Sequence, residues 1–208
     1  MLHKRAFYLV VFLILSVASS AQINIFLGGN LNGNYSWIRG DEHTYEPGYG
    51  GGISLAYWEH EYWYLKAGLD YNRRSSAVLD YPDYYGIVPE DENDRISIRY
   101  VEQAVGLPLT FCFRPIEKGA STLLITASLN TLVVAGMKLD SEEYGEYKLK
   151  GTEIKKRVKS SVGIGVGYQR QLDKNLYLNI VPSYNIDLRG DKTFNSLVLS
   201  VEVLFGVY

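Results

Sequence analysis

The chain has 208 residues, enough for one domain, and its 21 basic and 23 acidic residues give a formal net charge of −2 that excludes the basic surface nucleic acid requires. One cysteine and three histidines exclude an internal disulfide framework and a Cys/His zinc site, and no residue set implies a cofactor. Tyrosine (18) and glycine (20) are abundant, charged residues make up only 21%, and no apolar run beyond residue 21 is long enough for a transmembrane helix, so any membrane role falls to strands.

Residues 1–21 read as a cleavable export signal: Lys4 and Arg5, the apolar run from Ala6 to Ala18, then Ser19-Ser20-Ala21. The run is shorter than the roughly 20 residues a spanning helix needs, so cleavage after Ala21 is expected. Losing two of the 21 basic residues and none of the 23 acidic ones leaves a net charge of −4 on residues 22–208, which read as one β-barrel domain.

From there nearly every segment alternates with period two, the signature of a strand with two chemically different faces. Ile23, Ile25, Leu27, Leu31, Tyr35 and Trp37 oppose Asn24, Gly28, Asn30, Asn32, Asn34 and Ser36. Ile53, Leu55 and Tyr57 oppose Gly50, Gly52, Ser54 and Ala56; Trp63, Leu65, Ala67, Leu69 and Tyr71 oppose Tyr64, Lys66, Gly68 and Asp70. Val101, Val105, Leu107, Leu109, Phe111 and Phe113 oppose Tyr100, Glu102, Ala104, Gly106 and Thr110, and Leu123, Ile125, Leu129 and Val133 oppose Thr122, Thr126, Ser128 and Asn130. Val162, Ile164, Val166 and Tyr168 interleave with Gly163, Gly165 and Gly167; Leu176, Leu178, Ile180 and Tyr184 with Tyr177, Asn179, Ser183, Asn185 and Asp187. The last segment sets Leu197, Leu199, Val201, Val203 and Phe205 against Ser200, Glu202 and Gly206.

About eight strands result, the smallest usual number for a membrane barrel. Connections alternate too: 59–61, 115–120 and 172–175 are short, whereas 36–47, 73–95 and 136–159 are long and polar, and 189–192 is a short exception. Short turns at one end and long loops at the other fit an outer-membrane barrel.

Periodicity alone also fits a soluble lipocalin-like carrier, because it does not say which face is outside. The polar face decides: it holds Gly, Ser, Asn, Thr and Tyr rather than the Lys and Glu of a water-facing surface. The reading is therefore an all-β, closed, antiparallel, up-and-down transmembrane barrel with the polar face inside. Lys66, Asp70, Glu102, Asp187 and Glu202 then become interior charges, and Lys66 is expected to contact at least one of the carboxylates, since buried charges persist when paired. With eight strands the lumen is expected to be filled by side chains. Tyr35, Trp37, Tyr57, Trp58, Trp63, Tyr71, Phe113, Tyr177 and Tyr208 fall near strand ends, where aromatic side chains favour a membrane interface.

The stretch from Gly163 to Tyr184, a glycine-alternating strand, a tight turn and a strand ending in tyrosine, resembles the outer-membrane barrel family of Bacteroidota-type bacteria that includes PorT-like and OmpX-like proteins. The segment from Tyr100 to Phe111 is similar to that family's Tyr-Leu-Glu-Ile-Pro-Leu strand, although Pro108 follows Glu102 at a longer interval and Tyr208 is out of phase with a lipid-facing terminal aromatic. The resemblance implies fold and membrane, and for the PorT-like members assistance to secretion.

Three functions are weighed. The leading one is a non-enzymatic barrel acting through its outer loops, in surface binding, envelope maintenance or secretion, with outer-membrane lipids including lipopolysaccharide, and envelope or secretion proteins, as partners. The second is a lipid acyltransferase or deacylase with His43 as base beside Ser36, Asp41 and Glu42; a solvated loop histidine explains His43 more simply, and His60 fares no better. The third is the soluble carrier. The oxygen-rich stretch Asp80, Asp83, Glu90, Asp91, Glu92, Asn93 and Asp94 lacks calcium-loop spacing, and Lys155, Lys156, Arg157 and Lys159 after Glu142, Glu143, Glu146 and Glu153 read as a charged hairpin. The glycine runs 48–52 and 163–167 open no helix and so cradle no phosphate, and Cys112 reads as a small apolar filler.

Overall fold

Strands form where β-branched and aromatic residues alternate with small polar ones, because a pleated backbone sends the two sets to opposite faces. The computed structural model describes residues 24–39, 43–80, 96–141, 145–149, 157–189 and 193–207. Residues 1–21, expected to be an export signal, Asp41, Glu42, the acidic stretch 81–95, Lys155, Lys156 and Tyr208 lie outside the described residues.

The strands are β1 (Asn24–Ile38), β2 (His43–His60), β3 (Trp63–Asp80), β4 (Ile96–Phe113), β5 (Glu117–Lys118), β6 (Ser121–Ser141), β7 (Gly145–Leu149), β8 (Val158–Asp173), β9 (Leu176–Asp187) and β10 (Phe194–Val207). Pairing is antiparallel throughout, and β1 lies against β10 from Ile25↔Val207 to Ile38↔Phe194, which closes the sheet. The two-residue β5 and the five-residue β7 only add to β6, so eight long strands make the wall. Closure leaves none of those eight with an edge exposed along its barrel-forming length. Residues 61–62, 114–120 and 174–175 connect strands at the turn end, where Gly119 takes φ +62°, a conformation that favours glycine.

At the loop end the strands run further than the alternation suggests. Residues 73–80, 96–100 and 136–141 are paired strand, because several of their polar side chains turn into the lumen rather than into solvent. Growth is lopsided. β6 pairs β8 only as far as Val133↔Val158, then continues to Ser141 with β7 in place of β8, so β3, β4, β6 and β7 form a wall standing above the β8–β10 side. A bulge makes this possible: Gln103 faces Gly136 and Ala104 faces Val134, leaving Ala135 as an extra residue. Below the bulge even-numbered side chains of β6, such as Leu124 and Leu132, point inward; above it Leu139 does.

The faces are segregated as a transmembrane barrel requires. Leu31 (74% exposed), Ile164 (69%) and Ile53 (66%) project outward amid a belt of Leu, Ile, Val and Phe, while the inward side chains are mostly polar. That arrangement is the reverse of a lipocalin-like carrier, so the soluble reading is set aside.

Candidate functional site

The lumen is built in layers, each set by which residues the register brings to one height. At the turn end Phe26, Trp58, Tyr64, Cys112, Leu124 and Leu204 are buried together, with Tyr177 packed on them. Trp58 stacks on Tyr64 with centroids 4.8 Å apart and meets Phe26 at 5.1 Å and Tyr177 at 5.0 Å. Arg114 lies 4.4 Å over the Trp58 ring and donates to Glu61 O at 2.7 Å, tying the stopper to the turn between β2 and β3. Trp58 is therefore not an interface aromatic: it falls on the even-numbered, inward face of β2 with Ser54 and Ala56, and Tyr177 falls on the odd-numbered, inward face of β9 with Asn179. Cys112 occupies the same stopper, 1% exposed.

Above it, Lys66 Nζ lies 2.9 Å from each carboxylate oxygen of Glu202. Glu202 also accepts from Ser54 Oγ at 2.8 Å and Asn179 Nδ2 at 3.0 Å, so one cation and two neutral donors satisfy it. Asn179 and Gln169 lie against Tyr64 Oη, which links this layer to the aromatic one.

The middle is not filled, against the expectation of a packed lumen. A cavity of about 140 Å³ is lined by Asn30, Asn32, Asp70, Asn72, Asn130, Ser183 and Asn185 among others. Glycine makes the room: a Cβ on Gly50 would stand 2.5 Å from Asn72 Oδ1 and 2.8 Å from Asn32 Oδ1, and one on Gly52 would overlap the Asp70 carboxylate. Polar side chains thus lie flat against glycines of the next strand instead of reaching across the lumen.

Nearer the loop end, four charges close the bore. Arg74 donates to Asp187 through Nη1 (2.8 Å) and Nη2 (3.0 Å) and to Glu102 through Nη2; Lys159 pairs with the other Glu102 oxygen. Phe194 N donates to Asp187 Oδ2 at 3.2 Å, and its ring lies 4.7 Å from the Arg74 guanidinium. The clasp thus joins β3, β4, β8, β9 and β10, is electrically balanced, and is covered by Ile38, Val78, Ile98, Tyr100 and Leu139. Arg74 and Lys159 escaped the sequence reading, which put both in loops. For Arg74 the available signal was its even parity, four positions beyond Asp70 and eight beyond Lys66 on the inward face of β3.

Of the serine–histidine constellation, Asp41, Glu42 and the His43 side chain lie outside what the structure describes, and only Ser36 can be placed. Ser36 is fully buried, its Oγ 2.8 Å from Ser196 Oγ and donating to Asn34 Oδ1 at 2.9 Å, so it faces the lumen and no lipid. His60 sits at the turn end beside Tyr62 and Trp63.

On the outer face, Trp37 touches Tyr45 (4.9 Å) and Tyr184 (5.9 Å) at the loop end, and Trp63 lies 6.0 Å from Phe111 at the turn end. Tyr35, Tyr71 and Phe113 are exposed between strands of that face, and Tyr57 is half-buried there. From Ile25 to Trp37, strand rise and tilt give a belt about 30 Å tall, the thickness of a bilayer's hydrocarbon core.

No protein-family model matches the chain, and no curated protein matches it in sequence. Among solved structures it is similar to Neisserial surface protein A, NspA, at 14% identity and a TM-score of 0.53, covering 88% of this chain and 97% of that one. The fold is that of a small eight-stranded outer-membrane barrel. Looser likeness extends to AlkL, an outer membrane protein solved in DMPC bilayers (12% identity, TM-score 0.46, 89% and 92% covered). It extends also to Ail of Yersinia pestis (13% identity, TM-score 0.44, 88% and 98% covered).

Proposed function

We propose that the chain is a non-enzymatic barrel of a Gram-negative outer membrane, exported by residues 1–21, whose wall holds the outer connections rigid for recognition at the cell surface. The observation that supports this best is the pairing of a belt of exposed apolar side chains with a polar lumen closed by side chains at both ends. With the bore closed at both ends by described side chains, recognition falls to the wall above the rim. There β6 and β7 carry the alternating charges Lys138, Glu146 and Lys148, with Lys138 2.9 Å and Lys148 3.1 Å from Glu146. The apolar belt takes acyl chains of membrane lipids, lipopolysaccharide in the outer leaflet, as its solvent. A secretion accessory of the PorT-like kind is one form of this reading, supported only by the two strand segments from Tyr100 and from Gly163.

The test uses single cysteines in a Cys112→Ala background. A membrane-impermeant maleimide should label K148C in intact cells and K118C only after the outer membrane is permeabilised. Labelling of K118C in intact cells, or recovery of the protein in the soluble fraction, contradicts the reading.

A further inference from the structure

At the turn end the outward face of β6 and β8 changes character from one residue pair to the next. Toward that end the outward positions run Ile125, Leu123, Ser121 on β6 and Val166, Tyr168, Arg170 on β8, and the register sets Leu123 opposite Tyr168 and Ser121 opposite Arg170. Leu123↔Tyr168 is therefore the last apolar pair the two strands share, and Ser121↔Arg170 the first polar one. On its other side Ser121 faces Lys118, because the turn through Gly119 folds β5 back onto β6.

The row Lys118, Ser121, Arg170 crosses three neighbouring strands, which at ordinary strand spacing sets the two basic Cα atoms roughly 10 Å apart and lets both side chains reach over Ser121. Both basic residues are exposed, and among the described residues neither side chain has a hydrogen bond or an ion pair. The carboxylates beside them in sequence are already engaged: Glu117 Oε2 accepts from Arg114 Nη2 at 3.3 Å, and Asp173 Oδ1 from Lys174 N at 2.7 Å. At the loop end, by contrast, Arg99, Lys138 and Lys148 each have a carboxylate in contact. Between the two unmatched cations, Ser121 Oγ lies 2.6 Å from Tyr168 Oη. Two hydroxyls joined by one hydrogen bond keep one O–H free to donate.

We propose that this row is a headgroup site for an anionic glycerophospholipid of the phosphatidylglycerol type. Its phosphodiester is held by Lys118 and Arg170 over Ser121, and its acyl chains lie along Leu123, Val166 and the Tyr168 ring. The assignment rests on the reading of the apolar belt as membrane-spanning with the turn end at the inner leaflet, where the neighbouring lipid is a glycerophospholipid and not lipopolysaccharide. Charge decides the headgroup class. A phosphodiester brings one negative charge to two unmatched cations, and its paired oxygens suit the fork of a guanidinium. A zwitterionic headgroup brings a cation as well, for which the row supplies no free carboxylate. Long basic side chains at the belt edge reach the headgroup layer while their stems stay against apolar surface. A lipid bound there ties β5, β6 and β8 together on the outside of the barrel.

Native mass spectrometry of the protein in dodecyl maltoside, titrated with phosphatidylglycerol, phosphatidylcholine or inorganic phosphate, tests the site. Phosphatidylglycerol should bind more tightly than phosphatidylcholine. Its dissociation constant should rise about fivefold in K118Q or R170Q and about twentyfold in the double variant. Both replacements remove exposed charges without a protein partner, so the fold stays intact. R73Q, which removes the cation over the Tyr49 ring near the loop end, should leave the constant where it is. Equal affinity for the two lipids, or a constant unmoved in the double variant, overturns the site. Inorganic phosphate that displaces the lipid assigns the row to free anions and overturns the lipid. Failure of the underlying reading looks different: a protein that stays in solution without detergent has no membrane belt, whereas a detergent-requiring barrel with an unmoved constant loses only this site.

Discussion

At the turn end the lumen is closed by Phe26, Trp58, Tyr64 and Tyr177 packed ring against ring, and at the loop end by Arg74, Glu102, Lys159 and Asp187 held in one hydrogen-bonded set. Both seal the same bore, but by different physics. The aromatic stopper gains from area and shape, is indifferent to exact direction, and touches the short turns through Arg114. The ionic clasp gains little net energy from its charges once desolvation is counted, but each bond is directional, and together they fix the relative height of five strands. The end that carries the long connections is the end whose geometry is specified most sharply. The cavity between the two stoppers is where neither device reaches.

If the clasp works through paired charge, removing its shared anion should have the largest effect. Glu102→Ala strips Arg74 and Lys159 of a common partner and should lower unfolding stability by about 3–5 kcal/mol in urea titrations of the lipid-refolded protein. Replacing the pair together, Glu102→Met with Lys159→Met, should recover most of that loss. A double variant as unstable as the single one would mean that packing, not charge balance, matters there. The aromatic stopper should answer to volume instead: Trp58→Ala should cost about 3 kcal/mol and Trp58→Phe under about 1.5 kcal/mol, both independent of salt.

Lys66→Met probes the boundary between the two styles. Glu202 keeps Ser54 and Asn179 as donors and Lys66 is a fifth exposed, so the loss should be about 1–3 kcal/mol. An unchanged midpoint removes the ion pair from the account. The smallest effect belongs to the exposed hairpin. Hydrogen bonds from Lys138, then Lys148, hold the Glu146 carboxyl below its ordinary range, so their contribution is present above the unfolded carboxylate pKa and lost as pH falls through the lowered one. Protection factors of the β7 amides, corrected for the intrinsic pH dependence of exchange, should fall over that acid range while global unfolding does not change, and Glu146→Gln should abolish that fall.

Most of the wall was legible from residues 23–36, 50–57, 63–71 and 161–187, where alternation is unbroken and each side chain's face follows from its parity. Legibility failed where parity breaks or where partners are distant. The extra residue at Ala135 reverses the inward phase of β6, so nothing local marks Leu139 as interior. Arg74 and Lys159 stand in charge-rich surroundings that resemble a solvated loop, and what draws them inside is Glu102 and Asp187, tens of residues away in sequence. Trp58 sits at a strand end, where an aromatic suits an interface as well as a lumen, and only its parity with Ser54 and Ala56 marked it as inward. The cavity was hidden for a further reason, since it depends on which glycine lies beside which asparagine on the neighbouring strand.

Odd-numbered β1 side chains from Ile25 to Tyr35 meet lipid while even-numbered ones face the lumen. Nitroxide labels placed singly at Leu27, Asn30, Leu31, Asn34 and Tyr35 in a Cys112→Ala barrel, reconstituted in lipid bilayers, test it by their collision rates with dissolved oxygen. High rates at 27, 31 and 35 with low rates at 30 and 34 are predicted; the opposite alternation, or uniform rates along the strand, would contradict it.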